Sequence, residues 1–179
     1  MVRFLNKSIG VLGGSFDPAH KGHLIISKIA INKLKLHKVL WVVTKQNPFK
    51  NKTYYSLTQR IYKAKKLTKN IKKIEVAQTD RFLQSSRIIN AINYLINKKK
   101  LKDIYFIIGS DNLIKFHKWK SWKKIVKLTK LIVFSRNGYD RKSRKSIVAR
   151  YLKDRIIFIN NKPIIISSTK IRNQAKLKK

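Results

Sequence analysis

Val11-Leu12-Gly13-Gly14-Ser15-Phe16-Asp17-Pro18-Ala19-His20-Lys21-Gly22-His23 leads out of a short apolar run and into a segment of helical period. The run at 8–12 reads as a buried strand. Beyond the quoted stretch Ile25 and Ile29, with Ile26, Ala30 and Leu34, recur three or four residues apart, the spacing of an amphipathic crossover helix. Between the two, Gly13 and Gly14 permit positive φ and let backbone amides approach a phosphate with no Cβ in the way. The helix start adds exposed N–H groups and the positive end of a dipole, so a polyphosphate suits this place. His20 and His23 stand three apart at that start, and two imidazoles facing one way can donate hydrogen bonds to charge developing on a phosphate. Each part alone also has an ordinary reading: a glycine turn, an Asp17-Pro18 cap, histidines without a role, or, with Asp17, a metal shell that no neighbouring acid or histidine completes.

Outward from this stretch, β-rich apolar runs alternate with segments of helical period, the pattern of a doubly wound α/β fold whose parallel sheet is covered on both faces. Strands are predicted at 8–12, 38–43, 73–77, 104–108, 130–134 and 156–159, and further helices at 57–69, 86–97, 121–127 and 143–152. There is no internal repeat and no linker, and with 6 Gly and 3 Pro there is little to build one from. A chain of 179 residues that is 43% hydrophobic is expected to form one domain over 1–179. In an open parallel sheet, ligands sit at the carboxyl ends of the strands, so the chemistry is sought there.

The 44 Lys+Arg against 7 Asp+Glu give a net charge of +37, a balance that attracts any polyanion. The lysines are spread over every segment, and Lys, Asn and Ile are abundant together, the residue set of AT-rich codons. That favours compositional drift over a dedicated nucleic-acid surface, which would show a clustered basic arm with interleaved aromatics. Glu75 is the only glutamate and the aspartates lie far apart in sequence, a poor basis for a paired-carboxylate hydrolase. With no cysteine there is no disulfide and no thiolate chemistry. No apolar run approaches the roughly 18 residues of a membrane span, and the first six residues carry no apolar leader, so a soluble cytoplasmic protein is expected.

Two further segments carry chemistry. Ile166-Ser167-Ser168-Thr169-Lys170-Ile171-Arg172 follows an apolar run and opens a short last helix. Its hydroxyls serve either as an N-cap or as a second phosphate cradle completed by free amides and a guanidinium. Gly109-Ser110-Asp111 places a glycine and a carboxylate at the end of the 104–108 strand, suited to a ribose hydroxyl. Phe116, His117, Trp119 and Trp122 follow, and their spacing serves a core and a ligand site equally.

Gly13-Gly14-Ser15-Phe16-Asp17-Pro18 followed by His20-x-Gly22-His23 resembles the fingerprint of the HxGH nucleotidyltransferases, which transfer a nucleoside monophosphate to an acceptor phosphate on a Rossmann-like fold. The 166–172 stretch is similar to the ISSTxIR motif of the same family, which supplies the phosphate cradle. Gly109-x-Asp111-Asn112-Leu113 with Phe116-His117-Lys118-Trp119 is similar to the nicotinate-nucleotide adenylyltransferases, and the resemblance implies that Trp119 stacks on a pyridine ring. Asn47-Pro48-Phe49-Lys50 resembles that subfamily's Asn-Pro-x-Lys loop, with Lys50 facing phosphate, and Phe134-Ser135-Arg136 its Phe-Ser-Arg, with Arg136 near ATP. One region departs from the pattern: Arg87-Ile88-Ile89-Asn90-Ala91-Ile92 stands where relatives read Tyr-Thr-x-Asp-Thr-Leu, which puts the hold on the acceptor in question.

The expected reaction joins ATP to nicotinate mononucleotide, giving the dinucleotide and pyrophosphate, with Mg²⁺ arriving on ATP. His20, His23, Lys50 and Arg172 are the expected catalytic residues. Gly13, Gly14, Ser15, Phe16, Gly22, Gly109, Asp111, Arg136, Ile166, Ser167, Ser168 and Thr169 are expected around ATP, and Asp17, Lys50, Arg87 and Trp119 around the acceptor. Three alternatives stay open. One is phosphopantetheine adenylyl transfer, whose enzymes carry threonine at the position of His20. The others are a nucleic-acid-binding protein on the same scaffold, and a relative that binds ATP but has lost its acceptor.

Overall fold

Six strands form one parallel sheet: β1 (Ile9–Gly14), β2 (Lys38–Val43), β3 (Ile74–Ala77), β4 (Ile104–Gly109), β5 (Lys130–Phe134) and β6 (Ile156–Ile159). Their order is β3-β2-β1-β4-β5-β6 and every neighbouring pair is parallel. The computed structural model describes residues 8–45, 53–77 and 88–177. The loop with Asn47, Pro48 and Lys50, and Arg87 in the departing segment, lie outside the described residues.

The strands are apolar on both sides because both sides are covered. Along them alternate residues go to opposite faces, the period of two of a pleated backbone. Val11, Leu40, Val42, Phe106, Ile108, Leu131 and Val133 enter one buried cluster, while Leu12, Val39, Trp41, Val43, Ile107, Ile132 and Phe134 enter the other. The first cluster is closed by α3 (Ile88–Asn97), α4 (Ser110–Lys115), α5 (Trp122–Leu128) and α7 (Ile147–Leu152). The second is closed by α1 (Lys21–Lys33) and α2 (Leu57–Thr68). Each fully buried Val, Ile or Phe on these faces contributes about 1.5–3 kcal/mol relative to exposure. The two layers are therefore what holds the sheet.

Local chemistry sets the helix starts. Ser56 caps α2, accepting from the Gln59 N–H at 3.2 Å, while the Gln59 side chain accepts from the Ser56 N–H at 3.0 Å. Arg60, Ala64 and Thr68 then fall four apart and form its buried stripe. The predicted helix at 143–152 is two pieces, α6 (Asp140–Arg144) and α7, because Ser146 accepts from the Ala149 N–H at 3.2 Å and starts a new helix. The last helix, α8 (Ser168–Lys176), is capped by Ser167. The strand order turns back between β1 and β4, which opens a crevice at their carboxyl ends, and the first motif sits there.

Candidate active site

The glycine pair does not form the turn of its ordinary reading. Gly13 and Gly14 are extended and pair with Val42 and Val43 of β2, because the ladder outweighs the preference of glycine for turns. The positive φ falls on Phe16, at 46°, an unusual conformation for a bulky residue. It is held by packing: the buried Phe16 ring stacks on Trp41 with centroids 5.0 Å apart and lies 4.7 Å from the His23 ring. Trp41 donates its indole N–H to the buried Ser27 hydroxyl at 2.9 Å, and Ser27 donates to the His23 carbonyl at 2.8 Å. The first turns of α1 are thus pinned to β2 from beneath.

The two histidines cap α1 reciprocally. His20 is the N-cap; its Nδ1 accepts from the Gly22 N–H at 3.1 Å, and the His23 Nδ1 accepts from the His20 N–H at 3.1 Å. The rings lie 3.9 Å apart by centroid. A neutral imidazole whose Nδ1 accepts carries its proton on Nε2, so the capping box makes a donor of Nε2 on each ring. Burial first, and the nearby Arg136 charge second, lower the His20 pKa to about 4, which keeps it neutral. Gly22 has to be glycine here, since a Cβ would stand 2.9 Å from the His20 ring and 2.9 Å from Cγ2 of Ile164.

Behind the histidines, charged side chains tie distant segments together. The buried Asp17 carboxylate accepts from the Tyr54 and Tyr55 N–H groups, each at 2.9 Å. Arg172 donates to the Asp17 carbonyl at 2.6 Å and to the Thr169 hydroxyl at 3.1 Å, with its guanidinium 3.6 Å from the Asp17 carboxylate. Ser168 donates to the Pro18 carbonyl at 2.9 Å. The motif near the end of the chain is thereby fastened to the first. Arg60, only 1% exposed, donates to the carbonyls of Ser15, Thr44, Lys45 and Tyr55, so one guanidinium gathers the exits of β1 and β2 and the start of α2.

The cleft between these elements has a volume of about 790 Å³. On its far wall Arg136 pairs with Asp111 at 2.8 Å, and its backbone N–H donates to the Ser110 hydroxyl and the Asp140 carboxylate. The other Asp111 oxygen is buried without a hydrogen-bond partner, an acceptor suited to a hydroxyl from a ligand. Gly109 leaves room for it, as a Cβ there would lie 2.5 Å from that oxygen. Trp119 answers to both of its readings: it packs edge-on against Phe116, centroids 5.1 Å apart, and also lines the cleft.

Gly13, Gly14, Ser15, Phe16, His20, Gly22, His23, Gly109, Asp111, Trp119, Arg136, Ile166, Ser167, Ser168 and Thr169 all line this one cleft. Asp17 and Arg172 stand behind the wall, bonded to it. Arg60, whose only signal was an arginine on the apolar stripe of α2, was not among the expected site residues, nor were the lining residues Thr44 and Lys120, while Ile88, Asn112 and Lys118 were quoted in motif segments without a site role. Among the described residues no three His, Asp or Glu side chains converge, and Asp17 and Asp111 are paired with Arg172 and Arg136. Among the described residues no helix is long and apolar enough to cross a membrane.

Comparison with known proteins agrees with this geometry. The cytidylyltransferase-like family model matches residues 11–174. The chain is 50% identical over 165 residues to a probable nicotinate-nucleotide adenylyltransferase of Pelagibacter ubique (strain HTCC1062), covering 92% of this chain and 91% of that protein. It is 33% identical over 169 residues to a probable nicotinate-nucleotide adenylyltransferase of Endomicrobium trichonymphae, covering 94% and 86%. The Plasmodium falciparum nicotinic acid mononucleotide adenylyltransferase complexed with NaAD shares the fold, with a TM-score of 0.71 at 19% identity over 94% of this chain and 83% of that one.

Proposed function

The chain belongs to the cytidylyltransferase-like family and, within it, to the nicotinate-nucleotide adenylyltransferases; from that premise we propose how its residues carry the reaction. The protein transfers the adenylyl group of ATP to nicotinate mononucleotide, a step of NAD biosynthesis. An oxygen of the acceptor's 5′-phosphate bonds to the α-phosphorus of ATP, the bond from that phosphorus to the bridging oxygen breaks, and pyrophosphate leaves with the electron pair. The attacking phosphate is already ionised at neutral pH, so no base is needed, and the protein's work is alignment and charge stabilisation.

The observation that carries this reading is the reciprocal histidine cap, which makes Nε2–H donors of two imidazoles at one helix start. In our assignment His20 and His23 bind the α-phosphate, where negative charge grows as the bond changes occur. Ser167, Ser168 and Thr169 with the start of α8 receive the leaving pyrophosphate. Asp111 accepts from a ribose hydroxyl, Arg136 adds charge near ATP, and Trp119 offers a face to the pyridine ring. Asp17 and Arg172 act by holding the two motifs together, and Lys50 and Arg87 complete the phosphate and acceptor contacts. Mg²⁺ belongs to the substrate, carried on ATP by phosphate oxygens and water.

We read the whole of 1–179 as one catalytic unit, a reading supported by the bonds from Ser168 and Arg172 back to Pro18 and Asp17. We assign the reaction to the cytoplasm. The test is product identification: purified protein with MgATP should convert nicotinate mononucleotide to nicotinate adenine dinucleotide and an equal amount of pyrophosphate. Conversion of phosphopantetheine in preference to the pyridine nucleotide, or no pyrophosphate from any acceptor, would refute it.

A further inference from the structure

The geometry points to Asp140, which opens α6, as a positioning residue: it holds the backbone of Ser135 and Arg136 so that the Arg136 guanidinium meets Asp111, and thereby tightens the hold on ATP. This rests on the proposed function, in which Arg136 and Asp111 face ATP, and adds a residue that acts through them. Ser135 and Arg136 line the cleft, and Asp140 stands behind them. Its carboxylate accepts from the Ser135 hydroxyl at 2.8 Å and from the Arg136 N–H at 3.1 Å. The same N–H is shared with the Ser110 hydroxyl at 2.9 Å, and Ser110 is buried next to Asp111 at the start of α4. Between Arg136 and Asp140 the chain turns: the Tyr139 N–H donates to the Arg136 carbonyl at 3.0 Å, and Gly138 supplies a φ of 82°. Asp140 is itself anchored, since the buried Ser143 donates its hydroxyl to the Asp140 carbonyl at 2.8 Å.

A carboxylate behind a polyphosphate site repels the ligand, so its presence there has to be offset by what it holds in place. Asp17 and Asp111 already bond to groups of the site, and Asp103 pairs with Lys130 at the opposite end of the sheet, which leaves Asp140 as a carboxylate near the cleft that the mechanism does not use. Burial works to raise its pKa, but the Ser135 and Ser110 hydroxyls, the Arg136 N–H and the Arg144 charge outweigh burial and hold the carboxyl below its ordinary value, so it is an ionised acceptor. What it contributes follows from the exposure of the pair it serves. The Arg136 and Asp111 side chains are 40% and 25% exposed, and so open an ion pair gains little when a long side chain has to be immobilised to form it. A backbone fixed at Arg136 removes part of that loss before ATP arrives.

The experiment titrates α,β-methylene ATP with Mg²⁺ into wild type, Asp140→Ala, Asp140→Asn, Arg136→Met and the Arg136→Met/Asp140→Asn double variant by calorimetry, beside kinetics with nicotinate mononucleotide. Asp154→Asn serves as control, removing the same charge from an exposed position after α7. Through-space repulsion alone predicts tighter binding when a carboxylate is lost. Positioning predicts the opposite sign: Kd and KM for the nucleotide should rise about tenfold in Asp140→Ala and roughly threefold in Asp140→Asn, which keeps one acceptor oxygen, the range of couplings within one hydrogen-bond network. kcat and KM for the mononucleotide should change less than about threefold, and Asp154→Asn should match wild type. In the Arg136→Met background Asp140→Asn should add little. Binding unchanged or tightened in both Asp140 variants, a full effect in the Arg136→Met background, or loss of the fold in both variants overturns the assignment. A wild type that does not bind the analogue overturns the functional reading and this assignment together. If it binds but adenylylates no acceptor, the functional reading falls and the calorimetry still decides Asp140.

Discussion

His20 performs two tasks with two nitrogens, and substitution separates them. Nδ1 caps α1 through the Gly22 N–H, and Nε2 is assigned to the α-phosphate. Asn places an amide oxygen where Nδ1 stands and nothing where Nε2 stands; Ala removes both. Loss of an N-cap costs about 1 kcal/mol, and for a chain of this size about 1 kcal/mol lowers Tm by roughly 2–4 °C. Loss of a donor to a developing oxyanion lowers turnover roughly 10²–10³-fold. His20→Ala should therefore melt a few degrees low and be nearly inactive, whereas His20→Asn should melt close to wild type and be just as inactive. Thermal unfolding by circular dichroism and continuous detection of pyrophosphate give the two quantities separately. An active His20→Asn would remove Nε2 from the chemistry, and a His20→Ala that melts like wild type would remove Nδ1 from the cap.

Three more expectations follow from single groups. The His20 pKa falls from 6.5 to about 4 on folding, so the unfolded chain takes up this proton first; the contribution to stability is complete above 6.5 and is lost as pH falls toward 4. Urea unfolding across that window should show wild type losing stability faster than His20→Asn, and parallel curves would contradict this. Arg60→Met leaves the carbonyls of Ser15, Thr44, Lys45 and Tyr55 without their guanidinium and should cost about 3 kcal/mol or more by urea unfolding, with a loss under about 1 kcal/mol counting against it. Gly22→Ala gains about 1 kcal/mol of helix propensity but drives a Cβ to 2.9 Å from the His20 ring, so its Tm should change little while kcat drops; unchanged kcat would contradict the close approach.

The parallel sheet was legible because its strands are buried on both faces and so read as unbroken runs of Val, Ile, Leu and aromatics. All six fall within one or two residues of their predicted limits. The departures come where a tertiary partner overrides a local preference. Gly13 and Gly14 look like a turn and are strand, because β2 supplies the ladder. Asp17 looks like the helix cap, yet its carboxylate serves Tyr54 and Tyr55, and the cap is a histidine, a residue with no standing among cap preferences. Long-range ties were the least legible. Nothing local in the sequence pairs Arg60 with four carbonyls or Arg172 with a carbonyl 155 positions away. The motif residues could be recognised because backbone approach to phosphate restricts their identity position by position. A cleft lysine carries no such restriction in a chain with 44 Lys+Arg, and Lys120, outside every quoted motif, was lost in the background.

In the proposed mechanism His20 and His23 donate hydrogen bonds to the reacting phosphate and do not attack it. The stereochemical course at the α-phosphorus tests that most directly, using ATP made chiral at that centre with sulfur and the nicotinate mononucleotide acceptor. A single in-line displacement predicts inversion in the dinucleotide product. Retention would mean two displacements through an adenylylated side chain, and would contradict the mechanism by making a histidine a nucleophile.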